Sequence, residues 1–333
     1  MTDKVLIIGG AGYLGSVLSE LLLSRGFQVR VFDDLTYGDS GISDFYANPN
    51  FELMEGSVSE INNLIKSIEG VGSVIDLAAI VGDPASSIDP KKTIKINYHS
   101  TRTIANICKD YGVNRLIFAS TCSVYGVSTK PGEFLREDDD LNPVSLYAQT
   151  KIDSENVLLE MSDKDFKPII FRMGTLFGLS KRMRFDLAVN IMSAKAFFED
   201  KVTVFDGDQY RPFLHLKDAA LAYLKAITHP IDEIKGGAYN IGSNNLNYKL
   251  KEVGNIISEI ADCDIDIRSE EKDPRSYCVN FDKFQNDFSF ECSSSIEDSV
   301  RELIGIFNSG KYQDFYSKKY SNFKYLSEVW DVK

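Results

Sequence analysis

The stretch Lys4-Val5-Leu6-Ile7-Ile8-Gly9-Gly10-Ala11-Gly12-Tyr13-Leu14-Gly15 decides the fold. The apolar run from Val5 to Ile8 has the pattern of a strand buried on both faces. Glycines then permit a tight turn. A helical period follows, with Leu14, Val17, Leu18, Leu21 and Leu22 on one face and Gly26 as the stop. A strand, a glycine-rich turn and a helix in this order form a dinucleotide-binding fingerprint. The turn lets backbone approach a pyrophosphate at a helix N-terminus, where amide donors point outward. The next strand, Gln28 to Phe32, ends at Asp33, the expected distance for a carboxylate that bonds a ribose 2′-hydroxyl. Asp33 and Asp34 would repel a 2′-phosphate, and no arginine follows them to receive one. The reading is therefore NAD and not NADP.

Outward from this unit the alternation continues. Residues 51–54, 73–79, 114–119 and 168–172 read as strands. Residues 61–68, 91–111 and the segment carrying Tyr147 and Lys151 read as helices. Strands alternating with helices predict an α/β fold with a Rossmann-type doubly wound parallel sheet, with ligands at the carboxyl ends of the strands. After residue 173 helices (about 186–198, 217–228, 248–260, 296–307) mix with short strands (202–205, 238–241, 265–268). We expect an NAD-binding domain over 1–172, with a returning segment near 236–243, and a smaller C-terminal α/β substrate lobe made mainly of 173–333. The acidic run Glu137–Asp140 reads as a solvated loop, and the aromatic run from Tyr312 to Trp330 as a tail packed on the body.

A net charge of -12 argues against nucleic acid or an anionic membrane as the main partner. In such a chain clustered cations are informative. The five cysteines show no paired spacing and the three histidines are scattered, so neither a metal site nor a disulfide framework is expected. A reducing, cytoplasmic setting fits. No signal peptide precedes the first strand, and no apolar run approaches the ~20 residues of a membrane span.

The stretch Ser145-Leu-Tyr147-Ala-Gln-Thr-Lys151 places a tyrosine and a lysine one helical turn apart on one face. A phenol, with an ordinary pKa of about 10, is a poor base at neutral pH. A nearby ammonium favours the phenolate. The pair suits a proton acceptor for a hydroxyl that loses hydride.

Together, Gly9-x-x-Gly12-x-x-Gly15, Asp33, Leu77-Ala78-Ala79, Asn97, Ser120-Thr121-Cys122-Ser123-Val124-Tyr125-Gly126, Tyr147-x-x-x-Lys151 and Arg211-Pro-Phe-Leu-His215-Leu-Lys-Asp218 resemble the extended short-chain dehydrogenase/reductases, specifically their nucleotide-sugar epimerases and dehydratases. The resemblance runs through nearly the whole chain. It implies that Thr121 bonds the reacting sugar hydroxyl and that Tyr147 is the base. Lys151 would hold the nicotinamide ribose and lower the tyrosine pKa. Gly9, Gly12 and Gly15 would line the pyrophosphate, with Tyr13 and Leu14 donating amides. Asp33 would hold the adenosine ribose, with Asp34, Ser57, Val58, Leu77, Ala78 and Ala79 also around the cofactor and Asn97 supporting it. Arg211 matches an arginine that clamps the sugar-nucleotide diphosphate.

Thr175, Cys122 and Ser123 are further substrate positions. So are Arg182, Arg184 and Asn190 within Ser180-Lys-Arg-Met-Arg184-Phe-Asp-Leu-Ala-Val-Asn190, and Arg275 within Asp273-Pro-Arg275-Ser-Tyr277. On their own, the basic cluster also suits a surface patch and Arg275 an ordinary salt bridge. The run through Asn190 is similar to a surface-polysaccharide subgroup that includes GDP-heptose C4 dehydrogenases. Four departures stand out. Cys122 and Ser123 replace the Asp-Glu pair of the 4,6-dehydratases, which argues against water elimination. Ser57 replaces an Asp that often contacts adenine. Asp76 replaces a common His and reads as a solvated or strand-end residue. Gly174-Thr175 replaces Phe-Asn, which would open the pocket wall.

The resemblance implies a nucleoside-diphosphate sugar as substrate and oxidation at C4. Epimerisation follows if the keto sugar turns and takes its hydride back; net dehydrogenation follows if it leaves. A non-catalytic dinucleotide sensor would have lost Tyr147 or Lys151. The resemblance also implies a homodimer through the helix after Asn97 and the helix of Tyr147.

Overall fold

The computed structural model describes residues 4–128, 133–269 and 275–330. Its centre is a seven-stranded sheet of β1 (Lys4–Ile8), β2 (Gln28–Asp33), β3 (Phe51–Glu55), β4 (Ser73–Asp76), β5 (Leu116–Thr121), β6 (Ile169–Met173) and β7 (Gly237–Ile241). The order across the sheet is β7-β6-β5-β4-β1-β2-β3, and every neighbouring pair is parallel. This is the doubly wound sheet expected from the alternation. The chain reverses its direction of travel between β1 and β4, which opens a crevice at their carboxyl ends.

The two-residue period of a strand divides β1 between two cores. Val5 and Ile7 pack with Leu14, Leu18 and Leu22 of the Tyr13–Ser24 helix on one face. Leu6 and Ile8 pack with Leu64, Ile104 and Leu158 on the other. A run of apolar residues without polar alternation is therefore what a strand covered on both sides requires.

Two elements differ from the sequence reading. β4 ends at Asp76; Leu77 N makes a last bond to Ile8 O at 2.9 Å, and Leu77 to Ala79 line the crevice. The helix expected over 91–111 is Pro90–Ile94 and Ser100–Asp110 joined by a π turn, Lys95–His99. Such turns often mark functional positions, and this one holds Asn97 fully buried. Its side chain accepts from Ile80 N at 2.8 Å, donates to Ile80 O at 3.0 Å and reaches Thr150 Oγ1 at 3.2 Å.

The chain after β6 contains strands that the sequence reading did not resolve. Thr175–Phe177 pairs parallel with Tyr210–His215, which pairs antiparallel with Asn247–Lys249. Two of these are three residues long and the third contains Pro212, so neither length nor pattern announced them. The helices Ala188–Glu199, Leu250–Ala261 and Ile296–Asn308 share a separate core through Val189, Met192, Val253, Ile257, Ile296 and Val300.

A buried ionic knot ties β5, β6 and the Leu146–Glu160 helix. Arg172 Nη2 meets Glu155 Oε2 at 2.7 Å, with both side chains nearly inaccessible. Glu155 also accepts from the Ser120 hydroxyl. Arg172 Nη1 donates to Tyr125 Oη at 3.1 Å and to the Glu137 carbonyl at 3.0 Å. Glu137 is thus no solvated loop residue; its carboxylate accepts the Asn240 amide at 2.8 Å. Removing one partner of a buried pair strands the other charge. Glu155→Leu should therefore cost about 3–5 kcal/mol in urea unfolding; a loss below about 1 kcal/mol, the range of an exposed pair, would contradict this role.

Candidate active site

A cavity of about 490 Å³ lies at the carboxyl ends of the strands, lined also by residues after β6 such as Thr175, Arg184 and Arg211. This is within the size range of ligand sites. One end is built by the glycine turn. Gly9 adopts φ +79°, and a Cβ there would stand 2.8 Å from the Ala78 backbone. Only glycine permits both the left-handed turn and this approach. Gly12 begins the Tyr13–Ser24 helix with no side-chain cap. Gly12, Tyr13, Leu14 and Gly15 line the cavity, with Asp34, Val58, Leu77, Ala78 and Ala79 beside them. Asp33 accepts the Ala11 amide at 2.9 Å and the Leu35 amide at 2.9 Å. Burial nevertheless pushes its carboxyl up to about 6. Ser57 does not reach the cavity lining; its hydroxyl accepts from the Ser59 amide at 3.3 Å. Asn97 also stays behind the lining and acts through the backbone of Ile80.

Thr121, Tyr147 and Lys151 come together at the middle. Ser145 caps the Leu146–Glu160 helix by accepting from Ala148 N at 3.2 Å, which sets the first turn that carries Tyr147. Burial raises the Tyr147 phenol well above its ordinary value. The cation that most opposes this is Arg184, with the Thr121 hydroxyl also favouring the phenolate. Lys151 is arranged differently from the sequence expectation. Its Nζ donates to the Ala119 carbonyl at 2.7 Å and lies 5.9 Å from the Tyr147 ring centroid. Burial brings the ammonium down to about 8, against the opposing pull of Asp76 and Glu155. Asp76 is therefore not solvated. It is 1 % exposed, its Oδ2 accepts from Thr101 Oγ1 at 3.0 Å, and burial pushes its carboxyl up to about 6 despite Lys151.

The other walls carry the arginines. Arg182 and Arg184 are 4 % and 9 % exposed, so the basic cluster is not a surface patch. Arg184 Nε pairs with Asp186 Oδ1 at 2.8 Å. Arg211 donates to Gln209 Oε1 at 2.5 Å and to the Tyr210 carbonyl at 2.9 Å, and it bonds the Arg275 carbonyl. Arg275 itself pairs with Asp83. Asp273 and Pro274 lie outside the described residues.

Thr175, Cys122 and Ser123 line the cavity. The Cys122 thiol donates to the Arg172 carbonyl at 3.2 Å, and burial raises it well above the usual thiol range. Two expectations need correction. Asn190 does not line the cavity: it accepts from Gly178 N at 3.0 Å and donates to Tyr13 Oη and the Arg184 carbonyl, each at 2.8 Å. Gly174 does line it, but a Cβ there would point at Pro212 O, 3.2 Å away. Its missing side chain accommodates a close strand rather than widening the pocket.

Several lining residues escaped the sequence reading. The Asn322–Val329 helix is indeed packed on the body, yet Asn322 and Leu326, with Trp330 just beyond, also line the cavity. The Tyr37 and Tyr325 rings meet at a tilt with centroids 5.4 Å apart, and Lys92 Nζ sits 3.8 Å from the Trp330 ring centroid. Nothing in the local sequence signals these contacts, because the partners are separated by hundreds of residues.

The profile of the NAD dependent epimerase/dehydratase family matches residues 5–242, and the chain belongs to that family. It is similar to the UDP-glucose 4-epimerase of Lactobacillus helveticus, 26% identical over 259 residues, which cover 72% of this chain and 76% of that protein. It is also similar to the human sterol-4-alpha-carboxylate 3-dehydrogenase, decarboxylating, 32% identical over 183 residues. There the match covers 53% of this chain and spans only 45% of the relative's length. Among solved structures, the dTDP-glucose 4,6-dehydratase of Bacillus anthracis in complex with NAD superposes with a TM-score of 0.80 at 23% identity. That alignment covers 92% of this chain and 97% of that one, and it speaks for the fold. The family's cofactor is NAD, and the residues here fit it: the cradle at Gly9, the uncapped helix N-terminus at Gly12 and the carboxylate of Asp33 suit a diphosphate and a ribose diol. No helix among the described residues is long and apolar enough to cross a membrane.

Asp76 supports the proton on Lys151. Asp76→Asn keeps the shape and removes that support, so Lys151 should lose its proton at a pH below about 8. The alkaline limb of cofactor binding, followed by calorimetry across pH, should move to lower pH. An unmoved limb would show that the carboxylate does not act on Lys151.

Proposed function

We propose that the protein is an NAD-dependent nucleotide-sugar epimerase that oxidises C4 of a nucleoside-diphosphate sugar transiently. One observation carries this reading. Thr121 and Tyr147 meet in a cavity with a dinucleotide turn on one side and Arg184, Arg211 and Arg275 on the others. Arginine suits the sugar-nucleotide diphosphate because its fork matches phosphate oxygens. The lobe formed mainly by 173–333 supplies these arginines and is the sugar-nucleotide side, while 1–172 with the returning β7 is the cofactor side.

NAD, when bound, supplies a reversible hydride acceptor that is positively charged in its oxidised form. The protein supplies position and proton transfer. Thr121 orients the sugar hydroxyl. Tyr147 Oη takes its proton as the carbon is oxidised and returns it as the carbonyl is reduced. A buried neutral phenol is ready for the second task, and Arg184 favours the phenolate needed for the first. Lys151, whose Nζ donates to the Ala119 carbonyl, holds a positive charge within the site and would bond the cofactor ribose.

Elimination of water is disfavoured. The Cys122 thiol is buried, raised and bonded to a carbonyl, so it offers neither acid nor base at neutral pH. A second reading, net C4 oxidation with release of the keto sugar, draws on the likeness to a 3-dehydrogenase. A homodimer also fits, since Leu159 on the Leu146–Glu160 helix, Tyr111 at the end of the Ser100–Asp110 helix and Ile94 just before the π turn leave apolar surface exposed.

Tyr147→Phe removes the proton acceptor and little else. Turnover of UDP-, GDP- or dTDP-sugars should fall by about 10²-fold or more, while NAD released on denaturation stays at the level of the unaltered protein. Full turnover in this variant would sink the base assignment.

A further inference from the structure

The second lobe brings two buried arginines to the cavity in different circumstances. Arg184 has a counter-ion, Asp186. Arg182 does not: its Nη2 is buried and has no hydrogen-bond partner among the described residues. Its guanidinium rests on the Tyr37 ring, 4.3 Å from the centroid. Burial and the like charge of Arg184 bring it down to about 10, with Tyr37, Asp186 and Asp33 pulling the other way. A buried cation with an unmet donor is costly unless a ligand completes it.

Its location tells which ligand. Ser180 hydroxyl-bonds the Tyr13 carbonyl at 2.8 Å and lies 2.9 Å from Ser16 Oγ, so this stretch is fastened to the first helix. A Cβ on Gly41 would lie 2.5 Å from the Ala11 carbonyl and 3.2 Å from Arg182 Cβ, which places the arginine's stem next to the glycine turn. Arg211 and Arg275, by contrast, are joined to each other and to Asp83 and Tyr277.

We propose that Arg182 is a cofactor residue, contributed by the second lobe, whose guanidinium donates to the diphosphate of the dinucleotide. The assignment rests on the cavity being a dinucleotide site and moves Arg182 away from the sugar nucleotide. The diphosphate is favoured over a ribose 2′-phosphate because the Asp33 carboxylate, which lines the same cavity, would repel the latter. The buried Oδ1 of Asn322, on the helix tied to Asp186 by its backbone N at 2.8 Å, is a second polar atom in the same wall with no partner among the described residues.

The test is calorimetric titration of the full chain, stripped of nucleotide, with ADP-ribose, NAD, NADP and UDP or GDP. Turnover is not needed. Arg182→Met should weaken ADP-ribose about tenfold or more, the scale of one lost charge-assisted hydrogen bond, and leave UDP and GDP unchanged. The unaltered protein should bind NADP more weakly than NAD. Unchanged ADP-ribose affinity in the variant would overturn the proposal. Selective loss of UDP or GDP would also overturn it and return Arg182 to the sugar nucleotide. NADP binding at least as tight as NAD, and lost in Arg182→Met, would overturn the diphosphate assignment in favour of a 2′-phosphate contact. If the methionine variant fails to fold by circular dichroism, Arg182→Lys carries the test: it keeps the charge without the fork, and ADP-ribose should still weaken measurably while UDP and GDP do not. If the unaltered protein binds no ADP-ribose at all, the cofactor reading of the cavity fails, which is distinct from a variant that merely fails to differ.

Discussion

The close approach of Gly9 to the Ala78 backbone governs the rest of the site. The turn after β1 and the chain leaving β4 must pass each other where the strand order reverses, and the space between them would not hold a Cβ. Beyond it Leu77 N makes a last bond to Ile8 O at 2.9 Å, and Leu77 to Ala79 line the crevice. Asn97 fixes the next residue by bonding both polar groups of the Ile80 backbone. A polar side chain that satisfies irregular buried backbone is the usual way to keep such a segment in one conformation. The floor of the site is thus held by backbone contacts, not by side-chain bulk.

The electrostatics follow from burial in an acidic chain. A net charge of -12 is spread over the molecule, yet four arginines enter one cavity. Asp186 and Asp83 pair with two of them, and Gln209 supports a third. Lys151 answers to Asp76 and Glu155, while Glu155 is also the partner of Arg172. The active-site cations are therefore coupled to the packing of β4, β5 and β6. The same low-dielectric setting raises Tyr147, so the phenol depends on neighbouring positive charge to become a base.

Much of this could be seen in the chain itself. The central sheet was legible because Val5 to Ile8 and the other strand runs are apolar on both faces, and glycine at 9, 12 and 15 has a specific mechanical use. Tyr147 and Lys151 stood out by their one-turn spacing and Thr121 by the family resemblance, and the fold brings all three to one cavity. What escaped was nonlocal. The sequence shows no arginine after Asp33, but the fold brings Arg182 from far along the chain to the Tyr37 ring, next to the glycine turn. Asn190 shares a cationic run with Arg184, but its amide is consumed by Tyr13, Gly178 and the Arg184 backbone. Asp76 looks like a strand-end acid until β5 and the Leu146–Glu160 helix enclose it with Lys151. Trp330 reads as a tail residue until its ring meets Lys92.

The most direct measurement uses nucleotide sugars deuterated at C4, incubated with the protein as purified and followed by nuclear magnetic resonance. Transient oxidation within a closed site predicts a C4 epimer that keeps its deuterium, with no NADH accumulating. Deuterium lost to water would contradict hydride transfer and return. A keto sugar released with a single burst of NADH would contradict the epimerase account and make the protein a net dehydrogenase.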